Sequence, residues 1–219
     1  MIRNRFDKDI EELNSNLLKL GVLIEQAIAD SVDALIKQDR HLAESVVAGD
    51  KEINRLTRLV ESESLKILLR QQPLAGDLRL ISTALKMVTD MERIGDQAQD
   101  ISSIVLHLCE EEYRTKLVVI PLMAVNVRQM VKFCIDSFIR KDTDLAKKVI
   151  GMDDEVDAQF VKVKDNMIKL IREQPDYADQ AIYLMMVAKY LEKIGDHAEN
   201  IAEWVIFCKT GERKDTQLL

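Results

Sequence analysis

The chain has 219 residues, of which 47% are hydrophobic and 32% charged, so it is long enough for one large globular domain or two small ones. With only 7 Gly, 3 Pro and 5% aromatic residues, the composition favours helices and argues against a β-sheet protein. The net charge of −7 and the absence of a dense Lys/Arg run argue against a protein that grips the nucleic-acid backbone.

The N-terminal sequence MIRNRFDKDIEEL is charged from its start, so we do not expect a secretory signal peptide there. The apolar run from about Leu117 to Val127 is far shorter than the ~20 residues that a membrane-spanning helix needs. The three cysteines are Cys109, Cys134 and Cys208. Their odd number and the lack of CxxC spacing predict reduced thiols in a cytosolic protein rather than a disulfide framework.

Six amphipathic helices are predicted from apolar residues that recur in alternating steps of three and four. In each case the apolar residues form a seam along one helix face, and the opposite face is charged. The six seams run, in chain order, from Phe6 to Ser31, Leu42 to Val60, Ile81 to Val105, Met123 to Phe138, Leu145 to Val163 and Ala181 to Val205.

Aspartates and prolines mark the expected helix boundaries. The pairs Gln72-Pro73 and Gln174-Pro175 should end the second and fifth helices, because the residue before a proline avoids the α region. Aspartate side chains accept hydrogen bonds from the free amides at a helix N-terminus, and such caps are predicted at four places. These are Asp39 and Asp142, before the second and fifth helices, and Asp77 and Asp176, before the third and sixth.

The chain is an internal duplication. The segment LIKQDRHLAESVVAGDKEI, which begins at Leu35, aligns with FIRKDTDLAKKVIGMDDEV, which begins at Phe138. Further along, MERIGDQAQDI, which begins at Met91, aligns with LEKIGDHAENI, which begins at Leu191. Each half therefore contains three helices.

The two halves are joined by a link at roughly Glu110 to Pro121, and Pro121 lies near the start of the fourth helix. Connections this short place neighbouring helices antiparallel. We therefore predict an all-α fold of two tandem antiparallel three-helix bundles, formed by residues 1–112 and 118–219.

Two copies of an E-x-x-x-D pattern stand out in the third and sixth helices: Glu92 with Asp96, and Glu192 with Asp196. Residues four apart lie on one helix face, where like charges repel each other. A cation between the two carboxylates would turn this repulsion into attraction. In the first copy Asp100 extends the acidic row by another turn.

The second helix of each half carries a matching polar pair, Asp50/Asn54 and Asp153/Asp157. Heptad phase places each pair on the flank that faces an E-x-x-x-D pair, and a rise of about 1.5 Å per residue brings the two pairs level. Each half is therefore predicted to present four oxygen-bearing side chains around one spot. Three seam glycines should let the backbones approach there: Gly49, Gly95 and Gly195.

Oxygen ligands suit hard cations, or iron and manganese in carboxylate-rich sites, so these side chains are candidate metal ligands. Two other interpretations stay open: an E-x-x-x-D row is commonly a solvated helix face, and the seam glycines indicate a packing need that does not require a metal. The candidate metal ligands are Asp50, Glu92, Asp96, Asp100, Asp153, Asp157, Glu192 and Asp196.

Catalytic motifs are absent from the sequence. It has no Walker motif, GxGxxG, nucleophile elbow or Ser/His/Asp set. It also lacks the Glu-x-x-His pairs of di-iron bundles, and His197 is interpreted as a surface residue or as support for a ligand. We therefore predict a protein that is not an enzyme. A carboxylate-bridged metalloenzyme and a purely structural bundle are the alternatives.

The repeated motif resembles that of the PhoU family of bacterial phosphate-uptake regulators. The resemblance extends over essentially the whole chain, and two segments carry it: PLAGDLRLISTALKMVTDMERIGDQAQDI and YLEKIGDHAENIAEWVIF. It implies a cytoplasmic homodimer that keeps the phosphate-starvation response off when phosphate is plentiful and restrains high-affinity phosphate uptake. The implied partners are the ATPase subunit of the phosphate ABC transporter and the phosphate-sensing histidine kinase, so membrane association would occur only through partners.

The resemblance also implies multinuclear iron or zinc bound through E(D)xxxD motifs. Carried over to this sequence, those motifs fall on the candidate carboxylates of both halves. Asn54 departs from the pattern, because it offers a neutral oxygen where Asp157 offers a charge. This departure weakens the predicted metal site of the first half.

Overall fold

A computed structural model describes residues 2–71, 73–110, 112–213 and 216–217 of the chain. It confirms the predicted all-α fold of two three-helix repeats, and a 3-10 turn, Pro175–Tyr177, separates the last two helices. The helices are α1 (Ile2–Lys37), α2 (Arg40–Gln71), α3 (Gly76–Leu108), α4 (Val119–Arg140), α5 (Thr143–Glu173) and α6 (Ala178–Thr210). An antiparallel pair of two-residue strands that was not predicted follows α6: β1 (Glu212–Arg213) and β2 (Thr216–Gln217).

Two of the four predicted aspartate caps are confirmed. The Asp39 carboxylate accepts a hydrogen bond from the Leu42 amide at 3.0 Å, directly before α2. The Asp142 carboxylate accepts from the amides of Asp144 and Leu145, both at 3.0 Å, at the start of α5. Both side chains thereby satisfy amides that the helix itself leaves free.

The other two predicted caps, Asp77 and Asp176, are wrong. The residue before α3 is Ala75, at φ 45°, and no side chain caps this helix. Asp77 lies inside the first turn of α3, and Asp176 lies inside the 3-10 turn before α6. Asp77 comes two positions after Ala75, the N-cap of α3, and Asp176 comes one position before Tyr177, the N-cap of α6. An acid in the first turn of α3 still interacts favourably with the helix dipole.

The predicted helix ends agree with the structure where it describes them. The fifth helix stops at Glu173, directly before Gln174-Pro175. The second stops at Gln71, before Pro73, and Gln72 itself lies outside the described residues. Pro121 falls in the first turn of α4, where the missing proline amide costs no hydrogen bond.

The two halves pack against each other through α3 and α6, and also through α1 and α4. The central pair runs antiparallel: the Thr83 hydroxyl donates to the Trp204 carbonyl, and His197 pairs with Asp90. Every residue of the predicted seams on α3 and α6 is buried. Because these two helices are covered from both sides, the buried side chains of both halves form one continuous core.

Close backbone approach explains two of the three seam glycines. A Cβ on Gly95 would lie 2.9 Å from the Ile53 side chain, and one on Gly195 would lie 2.9 Å from Asp153. The prediction for Gly49 is wrong, because Gly49 is exposed and a Cβ there would meet no atom within 4 Å. Gly49 lines an open groove between α1 and α2 instead of facing α3.

None of the helices in the described part of the chain combines the length and the apolar character that a bilayer crossing requires.

Candidate metal centre

Three of the predicted ligands converge between α5 and α6. Asp153 and Asp157 stand one turn apart on α5, and Asp196 faces them from α6. One carboxylate oxygen from each lies within 4.8 Å of the others. Ligand oxygens bound at about 2.0–2.6 Å from one cation can be no more than about 5 Å apart, so this spacing suits a shared ion.

Glu192 belongs to the same acidic centre, one helical turn before Asp196. Its side chain is buried, with 9% of the residue exposed. Its Oε1 accepts a hydrogen bond from Lys189 Nζ at 2.6 Å, and its Oε2 lies 3.5 Å from Lys193 Nζ. The structure thus places all four second-half candidates on one patch, where two ammonium groups contact the carboxylates of α6.

The acidic centre is electrostatically strained when no cation is bound. Burial raises the pKa of Asp153 to about 7, with further upward contributions from the charges of Glu199, Asp157, Asp196 and Glu192. Burial also raises the pKa of Asp157, and the charges of Glu192 and Asp196 add to that shift. Like-charge neighbours in a partly desolvated site favour the neutral acid, and a bound cation would favour the carboxylate.

The local packing leaves one carboxylate oxygen of Asp153 without a hydrogen-bond partner. Its Oδ1 is buried and has no hydrogen-bond partner, which is a costly state for a carboxylate oxygen. The same atom lies where a Cβ on Gly195 would be, 2.9 Å away, so only glycine lets this carboxylate sit against α6. An orphaned buried oxygen among convergent carboxylates fits a hard cation, and we conclude that the second-half residues suit one.

The first half is built differently. Asp50 is buried, with 9% exposed, and its Oδ2 accepts a 2.6 Å hydrogen bond from the Asn54 amide, while its Oδ1 has no hydrogen-bond partner. Burial and the charge of Asp96 raise the pKa of Asp50. Arg93 Nη1 contacts Asp96 Oδ2 at 3.1 Å. Among the described residues, the first half has no group of three acidic oxygens as close as the one in the second half.

The two remaining candidates of the first half also lie on α3. Glu92 is half-buried, one turn before Asp96. Asp100 is exposed and hydrogen bonds with Tyr190 of α6, and burial followed by the charge of Asp96 raises its pKa. Asp100 is therefore held partly by the contact between the halves.

Sequence reasoning missed the direct contacts of the basic residues. Lys193 and Arg93 each form an ion pair with the aspartate three residues further on. The signal was available, since i,i+3 pairs lie on one helix face. His197 Nδ1 lies 2.9 Å from Asp90 Oδ1, so it links α6 to α3 and is outside the group of three acidic oxygens.

The raised pKa of Asp153 predicts a stabilising substitution in the metal-free protein. The folded-state pKa of Asp153, about 7, lies above the ordinary value of 3.8. At a pH between these two values, the folded chain retains a proton on Asp153 that the unfolded chain releases. This contribution to stability is complete below about pH 4 and is lost as the pH rises through 7. A pKa shift of one unit corresponds to about 1.4 kcal/mol. Solvent screening reduces the effect of the shift at this partly exposed group, so Asp153→Asn should raise the free energy of unfolding by about 1 kcal/mol above pH 7.

Urea unfolding of chelator-treated protein at about pH 5 and pH 8 would measure this difference. Asp154→Asn, at an exposed position beside it, is the matched control for the change in charge. A gain for Asp153→Asn that is equal at both pH values, or equal to that of the control, would contradict the prediction.

Comparisons with a family model and with known proteins agree with one another. The family model described as "PhoU domain" matches residues 17–105 and 120–205. A "Phosphate-specific transport system accessory protein PhoU homolog" from Clostridium acetobutylicum is 35% identical over 216 residues, or 98% of this chain and 99% of that protein. A protein of the same description from Pseudomonas aeruginosa is 37% identical, with 96% of this chain and 87% of that protein covered.

Solved structures share the fold. The crystal structure of PhoU from Pseudomonas aeruginosa superimposes with a TM-score of 0.91 at 37% sequence identity and covers 94% of this chain and 100% of that chain. The phosphate transport system regulatory protein PhoU from Streptococcus pneumoniae superimposes with a TM-score of 0.88. At 24% identity over 96% of this chain and 100% of that chain, the second likeness bears on the fold alone.

Proposed function

The chain belongs to the PhoU family, and from this premise we propose that it is a cytoplasmic regulator of phosphate homeostasis that works with a phosphate-specific transport system. The observation that carries the proposal is the extent of the match. The family model matches both three-helix repeats, at residues 17–105 and 120–205, and the relative from Clostridium acetobutylicum aligns over 99% of its length. The relatives from Clostridium acetobutylicum and Pseudomonas aeruginosa, matched over 99% and 87% of their lengths, bear the name of accessory proteins of that transport system.

The proposed action is negative regulation by contact. In this role the chain keeps the phosphate-starvation response off and restrains uptake by binding the transporter ATPase subunit and the phosphate-sensing kinase, as a homodimer. Long helices with exposed apolar side chains support such contacts: Val22 is 64% exposed, Leu69 81% and Val125 58%. We propose no catalytic role, because the relatives are named as accessory proteins and the one histidine near the acidic centre pairs with Asp90.

We further propose that the carboxylates bind metal, with multinuclear iron or zinc as the expected occupants. Asp153, Asp157 and Asp196, assisted by Glu192, would hold it in the second half, and the geometry of these oxygens supports this assignment. In the first half the ligands would be Asp50, Glu92, Asp96 and Asp100. A bound cation would neutralise the clustered carboxylates and offer open positions to an anion such as phosphate.

A reporter of phosphate-starvation gene expression tests the regulatory role. Deletion of the gene in its host is expected to leave the reporter strongly expressed in phosphate-rich medium, because the repressing contact is lost. Expression of the full chain from a plasmid should restore repression, and the empty plasmid is the control. Normal repression in the deletion strain, with transporter and kinase genes intact, would contradict the proposed function.

A further inference from the structure

The ammonium group of Lys193 occupies the position between the two carboxylates of the second E-x-x-x-D pair. Its Nζ forms an ion pair with Asp196 Oδ2 and lies 3.5 Å from Glu192 Oε2. These two oxygens belong to side chains one helical turn apart on the same face of α6. A single cation, here supplied by the protein, therefore bridges the pair.

Lys189 supplies a second ammonium but is held differently. Its Nζ hydrogen bonds with Glu192 Oε1 at 2.6 Å and lies 5.1 Å from the centre of the Phe160 ring on α5. A cation fixed between a buried carboxylate and an aromatic face gains from both contacts. In the described part of the chain, the Lys193 ammonium contacts the two carboxylates without an aromatic partner. The two lysine side chains are about equally exposed, 42% for Lys193 and 45% for Lys189, so the missing aromatic contact is what lets Lys193 swing into solvent at lower cost.

In the described part of the first half, the E-x-x-x-D pair is not contacted by two ammonium groups. The residue equivalent to Lys193 is Arg93, whose side chain is 59% exposed and pairs with Asp96 alone. The residue equivalent to Lys189 is Thr89, whose hydroxyl donates to the Leu85 carbonyl of its own helix. Protein ammonium groups are thus concentrated where the acidic oxygens are closest together, in the second half.

We propose that Lys193 is an exchangeable internal counter-ion: its ammonium bridges Glu192 and Asp196 in the metal-free protein, and a divalent cation must displace it to bind there. Lys193 thereby sets the metal affinity of the second-half centre. This inference rests on the proposed metal binding. Two cations cannot occupy the same space between two carboxylates, so the free energy of the ammonium contacts is subtracted from that of metal binding. Contacts of this kind at a partly exposed site are worth up to about 1 kcal/mol, which corresponds to about fivefold in affinity.

The test uses metal-stripped full-length protein, Mn²⁺ as the probe and titration calorimetry at one fixed pH. Lys193→Gln keeps much of the side-chain length without the charge and is expected to bind Mn²⁺ about fivefold more tightly than the unaltered chain. Lys162→Gln, at an exposed position on α5, is the matched control and is expected to leave the affinity unchanged. Asp196→Asn in the Lys193→Gln background should abolish the gain, which would assign it to this centre.

Thermal unfolding gives a second readout that does not depend on binding heats. Without metal, Lys193→Gln should melt about 2–4 °C below the unaltered chain, because the carboxylates lose their counter-ion. Saturating Mn²⁺ should remove this difference, because the ammonium contact is absent from both metal-bound proteins. Unchanged or weaker Mn²⁺ binding by Lys193→Gln would overturn the proposal, and so would a failure of both proteins to bind Mn²⁺. Neither result would change the outcome of the reporter experiment, so the regulatory function is tested independently of this inference.

Discussion

Replacement of Asp153 and Asp196 together by asparagine is expected to lower the metal content of the purified protein at least about tenfold. The two side chains contribute oxygens from both helices of the second-half centre, and their acidic oxygens lie within 4.8 Å of each other and of Asp157. Asparagine keeps the shape but removes two charges, which are the main attraction for a hard cation. Elemental analysis of protein purified without chelator or affinity tag would measure the loss.

A matched double variant separates ligation from net charge. Asp165→Asn with Asp179→Asn removes two charges at exposed positions of α5 and α6 and should leave the metal content unchanged. The first-half variant Asp50→Asn with Asp96→Asn should lose less metal, because the described residues of the first half bring no three acidic oxygens as close together as those of the second-half centre. Equal metal content in the Asp153/Asp196 variant and its control would show that the acidic centre is a solvated or protein-contacting face.

The second large effect concerns stability. Ile94→Ala in the middle of α3 is expected to lower the free energy of unfolding by about 2–5 kcal/mol, because Ile94 is fully buried and its removal leaves a cavity. Leu74→Ala is the control: the Leu74 side chain is 81% exposed, and its loss should cost less than about 0.5 kcal/mol. Urea unfolding followed by circular dichroism would measure both.

The same experiment tests whether the two repeats, proposed at residues 1–112 and 118–219, unfold together. The single tryptophan, Trp204, lies on α6 in the second repeat, whereas Ile94 lies in the first. Since α3 and α6 share one core, Ile94→Ala should shift the Trp204 fluorescence transition and the helical signal by the same amount. A fluorescence transition that stays in place while the helical signal splits would mean that the repeats unfold independently.

Patterns that depend on one helix at a time could be read from the sequence. The seam residues, the caps at Asp39 and Asp142 and the helix stop before Pro175 follow from the 3.6-residue period and from which amides a helix leaves free. Heptad phase also predicted that Asp153 and Asp157 would face Asp196, because level positions on antiparallel helices depend only on the rise per residue and the length of the turn.

Features that depend on the distance between helices could not be read in this way. Gly49 and Gly95 occupy similar seam positions, yet Gly95 presses against Ile53 and Gly49 faces an open groove, because helix spacing is set by all the side chains between two helices. The backbone turn after Pro73 likewise placed the start of α3 at Gly76, so that Asp77 could not cap it.

The sequence by itself determined the helices, the duplication and the acidic residues that are candidate cation ligands, since these are properties of local geometry and residue chemistry. The tertiary structure decided which carboxylates are desolvated and which form an ion pair with a lysine ammonium group. Burial between α5 and α6 raises the pKa of Asp153 to about 7, and rotamers packed against Phe160 and Glu192 hold Lys189 in place. Desolvation and ion pairing act through space at a few ångströms, and only the packed helices set those distances.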